Sequence, residues 1–265
     1  MSDNAPASPS TKKITALILA ASRRGERDPV AHATGVRQKS LAPILGVPML
    51  SRVIAALKAT PAIGDIYVSI EHEDLLPDRD AARFVPSQGN LAASTLSAVA
   101  AMNPKPDTLL ITTGDHALLT PEMLAHFCAA IHTADVTVGM TAAATILARY
   151  PNGVRAFQRF KDGDASGCNL YGLRGERALA AAQVFAGGGQ FGKKPWRLLR
   201  AFGLRTFVLH MLRRLTLDEA MARVGCGFGV QIAAVRMPFA EAAIDIDRLE
   251  DLRLAEEILR ARALR

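Results

Sequence analysis

"LILAASRRGERDPVAHATGVRQKSLAPILGVPML" (Leu17–Leu50) opens as an apolar run, closes as an amphipathic one and crosses a polar, basic connection between them. With the residues before it the opening run is "ITALILA" (Ile14–Ala20), of strand length and apolar throughout, as a strand in the middle of a parallel sheet is. The close, "PMLSRVIAALKA", repeats apolar residues at helical spacing, with Met49, Val53, Ile54 and Leu57 on one face. Strand, connection, helix begins a βαβ pattern, and it leaves Arg23, Arg24 and Lys39 between a buried strand and the next helix.

The alternation continues outward. "DIYVSI" (Asp65–Ile70) and "RFV" (Arg83–Val85) read as strands, "NLAASTLSAVAAM" as a helix, and "TLLITT" (Thr108–Thr113) as a strand. "GDHALLTPEMLAHFCAAI" turns into a helix with Thr120 as N-cap, Pro121 at the first helical position and Glu122 in the first turn. "DVTVGM" adds a further strand. Such spacing predicts an α/β fold, a mostly parallel central sheet with helices on both faces. Ligands of such sheets bind beyond the carboxyl ends of the strands, where the opening connection and "TTGD" both lie.

After Tyr150 the pattern weakens. "VRAFQRF" (Val154–Phe160) and "CNLYGL" (Cys168–Leu173) read as strands, and "RGERALAAAQVFA" as a helix. "GVQIAAVRM" reads as a strand, "AAIDID" as a short one, and "RLEDLRLAEEILRARA" as a closing amphipathic helix. Between them, Gly187–Leu215 carries Lys193, Lys194, Arg197, Arg200, Arg205, Arg213 and Arg214 and no acid, beside an apolar stripe that includes Trp196. "TLDE" (Thr216–Glu219) matches a capping box, so a helix is expected to begin there. The organisation expected is a polar, disordered lead-in over residues 1–12 and one domain over 13–265, with a basic amphipathic helical insertion at about 187–225.

The bulk properties agree. A chain of 265 residues, 49% apolar, buries a substantial core. No run of eighteen uncharged apolar residues occurs, so no membrane-spanning helix is expected. Cys128, Cys168 and Cys226 are scattered, without C-x-x-C spacing, which argues against a structural zinc or a disulfide framework and for the cytoplasm.

Three pieces could carry chemistry. The opening connection, with Gly25, two arginines and Lys39, has the parts of an anion site, though neither a Walker A loop nor G-x-G-x-x-G; a solvated basic loop is the alternative. Asp115, at a strand end, could hold Mg²⁺ beside a triphosphate or simply cap the next turn. In "IDID" the alternation puts Ile244 and Ile246 on one face and Asp245 and Asp247 on the other, where they could complete a metal site or cap the closing helix.

The order of these pieces along the chain resembles the nucleotidyltransferases of the molybdenum-cofactor-guanylyltransferase-like superfamily, which includes sugar-phosphate and polyol-phosphate cytidylyltransferases. That resemblance implies a glycosyltransferase-A-like fold and transfer of a nucleoside monophosphate from an NTP to a phosphorylated acceptor. Carried over, Leu19, Ala20, Ala21, Ser22, Arg23, Arg24 and Gly25 wrap the NTP phosphates and Lys39 contacts them. Asp115, preceded by Gly114, binds Mg²⁺ (or Mn²⁺), and Asp247 with Asp245 completes the metal site. "SQGNLAAST" matches the segment that lines base and ribose, giving Gln88, Asn90, Ser94 and Thr95. Ser166, Gly167 and Asn169 are the acceptor candidates, with a tight hairpin turn as their plain structural reading. The chain departs from the pattern at Ala21 and Ser22, where glycines are common, in the greater length of the connection to Lys39, at Arg248-Leu249 in place of Thr-Pro, and at His116.

A phosphate monoester has a second pKa near ~6 and is already anionic at pH 7, so it needs no general base. His32, His72, His126, His132 and His210 are scattered and have no i, i+4 pair for a metal. The insertion, Lys193–Leu215 above all, suits an anionic membrane surface, which would put the enzyme at the inner face of the membrane, or a second subunit in a homodimer; packing on the domain is the alternative. A membrane position points to a CDP-alcohol product and so to CTP over GTP, with inositol phosphate among the acceptors. A glycosyltransferase of the same fold would need a D-x-D that "GDHA" does not supply. A non-catalytic basic membrane-binding protein would leave the aspartates without work. No nucleic-acid partner is expected, since 5% aromatic content carries no RNA-binding signature.

Overall fold

The computed structural model describes residues 13–22, 25–151, 156–179, 206 and 208–264. Among these, seven strands form one sheet in the order β5-β4-β1-β6-β8-β7-β9. They are β1 (Ile14–Leu19), β4 (Ile63–Ile70), β5 (Arg83–Pro86), β6 (Thr108–Thr113), β7 (Val136–Ala142), β8 (Ala165–Arg174) and β9 (Ile232–Arg236). Strands β5, β4, β1 and β6 are mutually parallel, as are β7 and β9, and β8 runs antiparallel to both its neighbours. The mostly parallel α/β reading therefore holds, with β8 reversed at its centre.

The inner strands bury both faces. Ala16 and Ile18 of β1 pack with Leu110 under α2 (Met49–Lys58) and α4 (Pro121–Ala130), while Leu17 packs with Leu109 and Ile111 under α3 (Leu91–Ala101). Met221, Val224 and Phe228 of α6 (Leu217–Phe228) pack against this second cluster. The capping box expected at its start is present: Thr216 accepts from the Glu219 N–H, and Glu219 accepts from the Thr216 N–H.

Three sequence expectations are corrected. "AAIDID" is not a strand: Ala240–Ala243 forms a 3-10 turn, and the following residues are extended without a strand partner. Of Val154–Phe160, the described part makes only an isolated bridge, Gln158 with Ala165, across a six-residue connection. The opening connection contains α1 (Pro29–Thr34) rather than loop alone. Asp28 caps this helix, accepting from the Val30 and Ala31 N–H groups, Pro29 starts it, and Gly35 ends it in the left-handed region. The helix expected over residues 174–186 is present at residues 175–179; its remainder, the lead-in 1–12 and most of the basic insertion lie outside the described residues.

The connection's length thus has a structural use. Val30 is buried in a third cluster with Ala117, Leu118, Ile244, Ile246, Ala255 and Ile258, which ties α1 to the closing helix α7 (Leu249–Ala263). A two-residue turn at Leu45 and Gly46, both at positive φ, joins the short strands β2 (Pro43–Ile44) and β3 (Val47–Pro48) ahead of α2.

Candidate active site

Three chain segments meet beyond the carboxyl ends of β1 and β6. The first leaves β1 at Ala20, and the Gly114 N–H donates to the Leu19 carbonyl at 3.0 Å, locking the two strand ends together. A side chain at 114 would be tight: its Cβ would lie 3.0 Å from the Cβ atoms of both Ala20 and Ser40. The glycine of "TTGD" is needed for this close approach. Below it the Gln38 amide donates to Ser40, whose hydroxyl donates to the Ala20 carbonyl at 3.1 Å. This buried chain fixes where Lys39 leaves the backbone.

The Lys39 ammonium lies 2.5 Å from Asp115 Oδ2 and 2.6 Å from Asp247 Oδ1. Burial by itself would lower its pKa; the charges of and hydrogen bonds to Asp115 and Asp247 outweigh this and hold it above its ordinary value. Thr113 donates its hydroxyl to the other Asp115 oxygen at 2.5 Å, so that carboxylate is held on both sides. The third segment arrives from α7's side of the molecule. Ile244 and Ile246 are buried, the Ile246 N–H donates to the Asp115 carbonyl at 3.2 Å, and the alternation turns Asp245 and Asp247 outward, as read from the sequence.

Because β8 runs backwards, its beginning reaches this same edge. The Asn169 amide donates to Asp245 Oδ2 at 3.2 Å. Ser166 is buried and donates to the Ala156 carbonyl, and Gly167 is exposed. Of the base-and-ribose candidates, Asn90 caps α3 by accepting the Ala93 N–H at 2.9 Å, and Ser94 accepts the Gln88 N–H at 2.8 Å. Thr95 donates to the Leu91 carbonyl; Gln88 and Asn90 are exposed, Ser94 and Thr95 buried. Arg23 and Arg24 lie outside the described residues.

The fold adds residues the sequence reading missed. Glu71, one residue past β4, accepts the Ser22 N–H at 2.7 Å, and the Gly25 N–H donates to the Ser22 hydroxyl, so the connection is shaped from beneath. Glu71 could have been suspected as a polar residue just beyond a strand end. Thr113 stood in the quoted "TTGD". His116 is buried beside Thr112, and burial pushes its imidazole down to about 4, against the pull of Asp115, so it is neutral near pH 7.

Carboxylate oxygens that converge on one positive centre are the hard donors that Mg²⁺ or Mn²⁺ takes, so Asp115 and Asp247 fit a divalent cation. Among the described residues no group of three or more His, Cys, Asp or Glu side chains closes round a metal. Two carboxylates with further oxygens from substrate phosphate and water is the usual Mg²⁺ arrangement.

The family model of the MobA-like NTP transferase domain matches residues 16–151. A search of the curated proteins found no match. Among solved structures, a hypothetical transferase from Thermus thermophilus shares 27% identity at a TM-score of 0.77, over 91% of this chain and 99% of the other. The 4-diphosphocytidyl-2C-methyl-D-erythritol synthase of Anaerococcus prevotii shares 13% identity at a TM-score of 0.58, over 94% and 96%. A CMP:2-keto-3-deoxy-manno-octonic acid synthetase complexed with CTP shares 12% identity at 0.56, over 94% and 99%. The last two show the shared fold.

Proposed function

We propose that this chain, which belongs to the MobA-like NTP transferase domain family, moves a nucleoside monophosphate from an NTP to a phosphorylated sugar or polyol and releases pyrophosphate. The observation that carries this reading is the Lys39 ammonium between the carboxylates of Asp115 and Asp247, directly beyond the ends of β1 and β6. Nothing in ordinary packing asks for two acids and a lysine at the place where such sheets bind ligands.

The roles follow from placement. Leu19 to Gly25 would border the triphosphate, and Arg23 and Arg24 would bring positive charge to its phosphates. Gln88 and Asn90, exposed at the start of α3, meet base and ribose, and Ser94 and Thr95 hold that turn in shape. A divalent cation, Mg²⁺ or Mn²⁺, supplies charge neutralisation and polarisation of the α-phosphate when bound by Asp115 and Asp247. Lys39, whose Nζ stands between the two carboxylates, would offer its ammonium to the phosphates. The acceptor's phosphate oxygen, anionic near pH 7, attacks the α-phosphorus; its P–O bond forms as the bond to pyrophosphate breaks. Catalysis here is positioning and neutralisation, which the fixed carboxylates and Lys39 provide without a general base.

CTP is the favoured nucleotide. Its support is the likeness in fold to a synthetase complexed with CTP and to a diphosphocytidyl synthase. Ser166, Gly167 and Asn169, at the same edge on the reversed strand, make the acceptor side, with inositol phosphate a first candidate. A peripheral contact with an anionic membrane at its cytoplasmic face, through Lys193–Leu215, is supported by the end of the insertion: Met211 and Leu212 are each 60% exposed beside Arg213 and Arg214. A second subunit would use the same surface, as a homodimer.

The test is pyrophosphate release with Mg²⁺ across the four NTPs and a panel of sugar and polyol phosphates. One NTP and one acceptor should give turnover that Asp115→Ala abolishes. Silence across the panel, with no NTP-induced rise in Tm, sinks the proposal.

A further inference from the structure

We infer that Asn169 is a positioning residue: a bulge in β8 aims its amide at Asp245 and so fixes the segment of residues 244–247 against the sheet. The inference rests on the proposed cation site and goes beyond it, since it makes Asn169 part of the support of the carboxylates rather than a simple acceptor contact.

Register is the first observation. Val138 faces Tyr171, and two residues on Met140 faces Gly167, so three residues of β8 (168–170) stand against Gly139 alone. Such bulges re-aim a side chain and recur beside active sites. Asn169, in its middle, has φ of +49°, a left-handed conformation that asparagine tolerates better than most residues other than glycine. A position chosen for conformation alone would suit glycine better. The side chain has a use of its own: its Nδ2 donates to Asp245 Oδ2 at 3.2 Å.

Packing holds the bulge in this form. A Cβ on Gly139 would sit 3.1 Å from Leu170 Cβ and 3.3 Å from Cys168 Cβ, so the bulge rests on bare backbone. Cys168 and Leu170 are fully buried. The Cys168 sulfur lies 3.1 Å from the Thr141 hydroxyl, which also donates to the Phe239 carbonyl at 3.2 Å. Phe239 begins the short 3-10 turn that leads into the segment. The segment therefore has two supports. The Ile246 N–H and Asp247 attach it to Asp115 and Lys39 at the end of β6, and the bulge attaches Asp245 and its approach to β8. Fixing the rotation of Asp245 fixes the backbone two residues from Asp247. A neutral amide does this without cancelling the charge that a cation needs.

Glycine at 169 separates the two roles, because it keeps the conformation and deletes the side chain. Mn²⁺ binding to the full chain, followed by electron paramagnetic resonance without nucleotide, is compared in wild type, Asn169→Gly, Asp245→Asn, their double mutant and Asp115→Asn, with Tm recorded for each. Removing an orienting partner behind a metal ligand typically costs about 10- to 100-fold in affinity, so N169G should weaken Mn²⁺ about tenfold with Tm within about 2 °C of wild type. Asp245→Asn should lose as much, and the double mutant no more than either. Asn169→Ala, with a Cβ at positive φ, should lose affinity and several degrees together. Mn²⁺ binding that D115N abolishes and N169G leaves unchanged overturns the positioning role alone. A fall in Tm in N169G that matches its loss of affinity and is absent in D245N assigns Asn169 to folding and also overturns it. Binding absent from wild type, or indifferent to D115N, overturns the cation site and this inference with it.

Discussion

In β4, β1 and β6 the strands run the same way, and their functional groups lie one to three residues past the strand ends: Glu71 after β4, Ser22 after β1 and Asp115 after β6. Across the seam between β6 and β8 the direction reverses. There the strand reaches the site with its beginning, and Asn169 comes to Asp245 only through a bulge at positive φ. The parallel half supplies charge from loops over ladders that are regular where they approach the site. The reversed half supplies orientation from inside an irregular one. Changes in the first should therefore cost chemistry, and changes in the second should cost support or stability.

The largest effect expected is from Asp115→Asn, which keeps shape and removes the charge. Turnover should fall about 10³-fold, by analogy with the loss of an electrostatic stabiliser, with Tm little changed. Retained turnover, measured as pyrophosphate release, would break the assignment of chemistry to the parallel half.

On the other side Gly172→Ala should act on folding. Its Cβ would lie 2.3 Å from Thr137 Oγ1 and 2.4 Å from Ile131 Cγ1, atoms under the middle of β8. Overpacking of this severity costs about 3 kcal/mol, seen as a lower midpoint of urea unfolding, with turnover per folded molecule retained. Lys39→Met should lower turnover about 10²-fold and, by leaving two carboxylates face to face, lower Tm by several degrees. Added Mg²⁺ should restore the Tm and not the turnover. The smallest effect is from Gly114→Ala, about 1–2 kcal/mol, because its contacts at 3.0 Å to Ala20 and Ser40 are tight rather than impossible. It sits in the parallel half, so it should lower kcat beyond its effect on stability, and a purely thermal effect would blur the distinction.

The sequence made the parallel half legible because its signals are local. Runs buried on both faces gave β1, β4 and β6 with nearly their observed bounds, and Thr120, Pro121 and Glu122 placed the start of α4 correctly. Lys39, Asp115 and Asp247 were read as separate motifs, 76 and 132 positions apart, and the fold brings them into one contact. What the sequence concealed depends on tertiary contact. Helix α1 looked like polar loop because it is short, and its buried residue Val30 finds its partners in Ile244, Ile246 and Ile258 far along the chain. The "IDID" segment alternates like a strand yet has no ladder; its isoleucines are buried, and contacts from Asp115, Lys39 and Asn169, distant along the chain, hold it in place. The bulge at Asn169 has no sequence mark, since only the register against β7 reveals it.

The central claim, attack on the α-phosphorus of a nucleoside triphosphate beside Lys39, Asp115 and Asp247, is tested most directly by following labelled phosphorus. CTP labelled at the α-phosphate and CTP labelled at the γ-phosphate are each incubated with Mg²⁺ and the phosphorylated acceptor found in the panel. The α-label should appear in the acceptor product and the γ-label in pyrophosphate, both lost in Asp115→Asn. Transfer of the γ-label to the acceptor, or of neither label, would contradict the account.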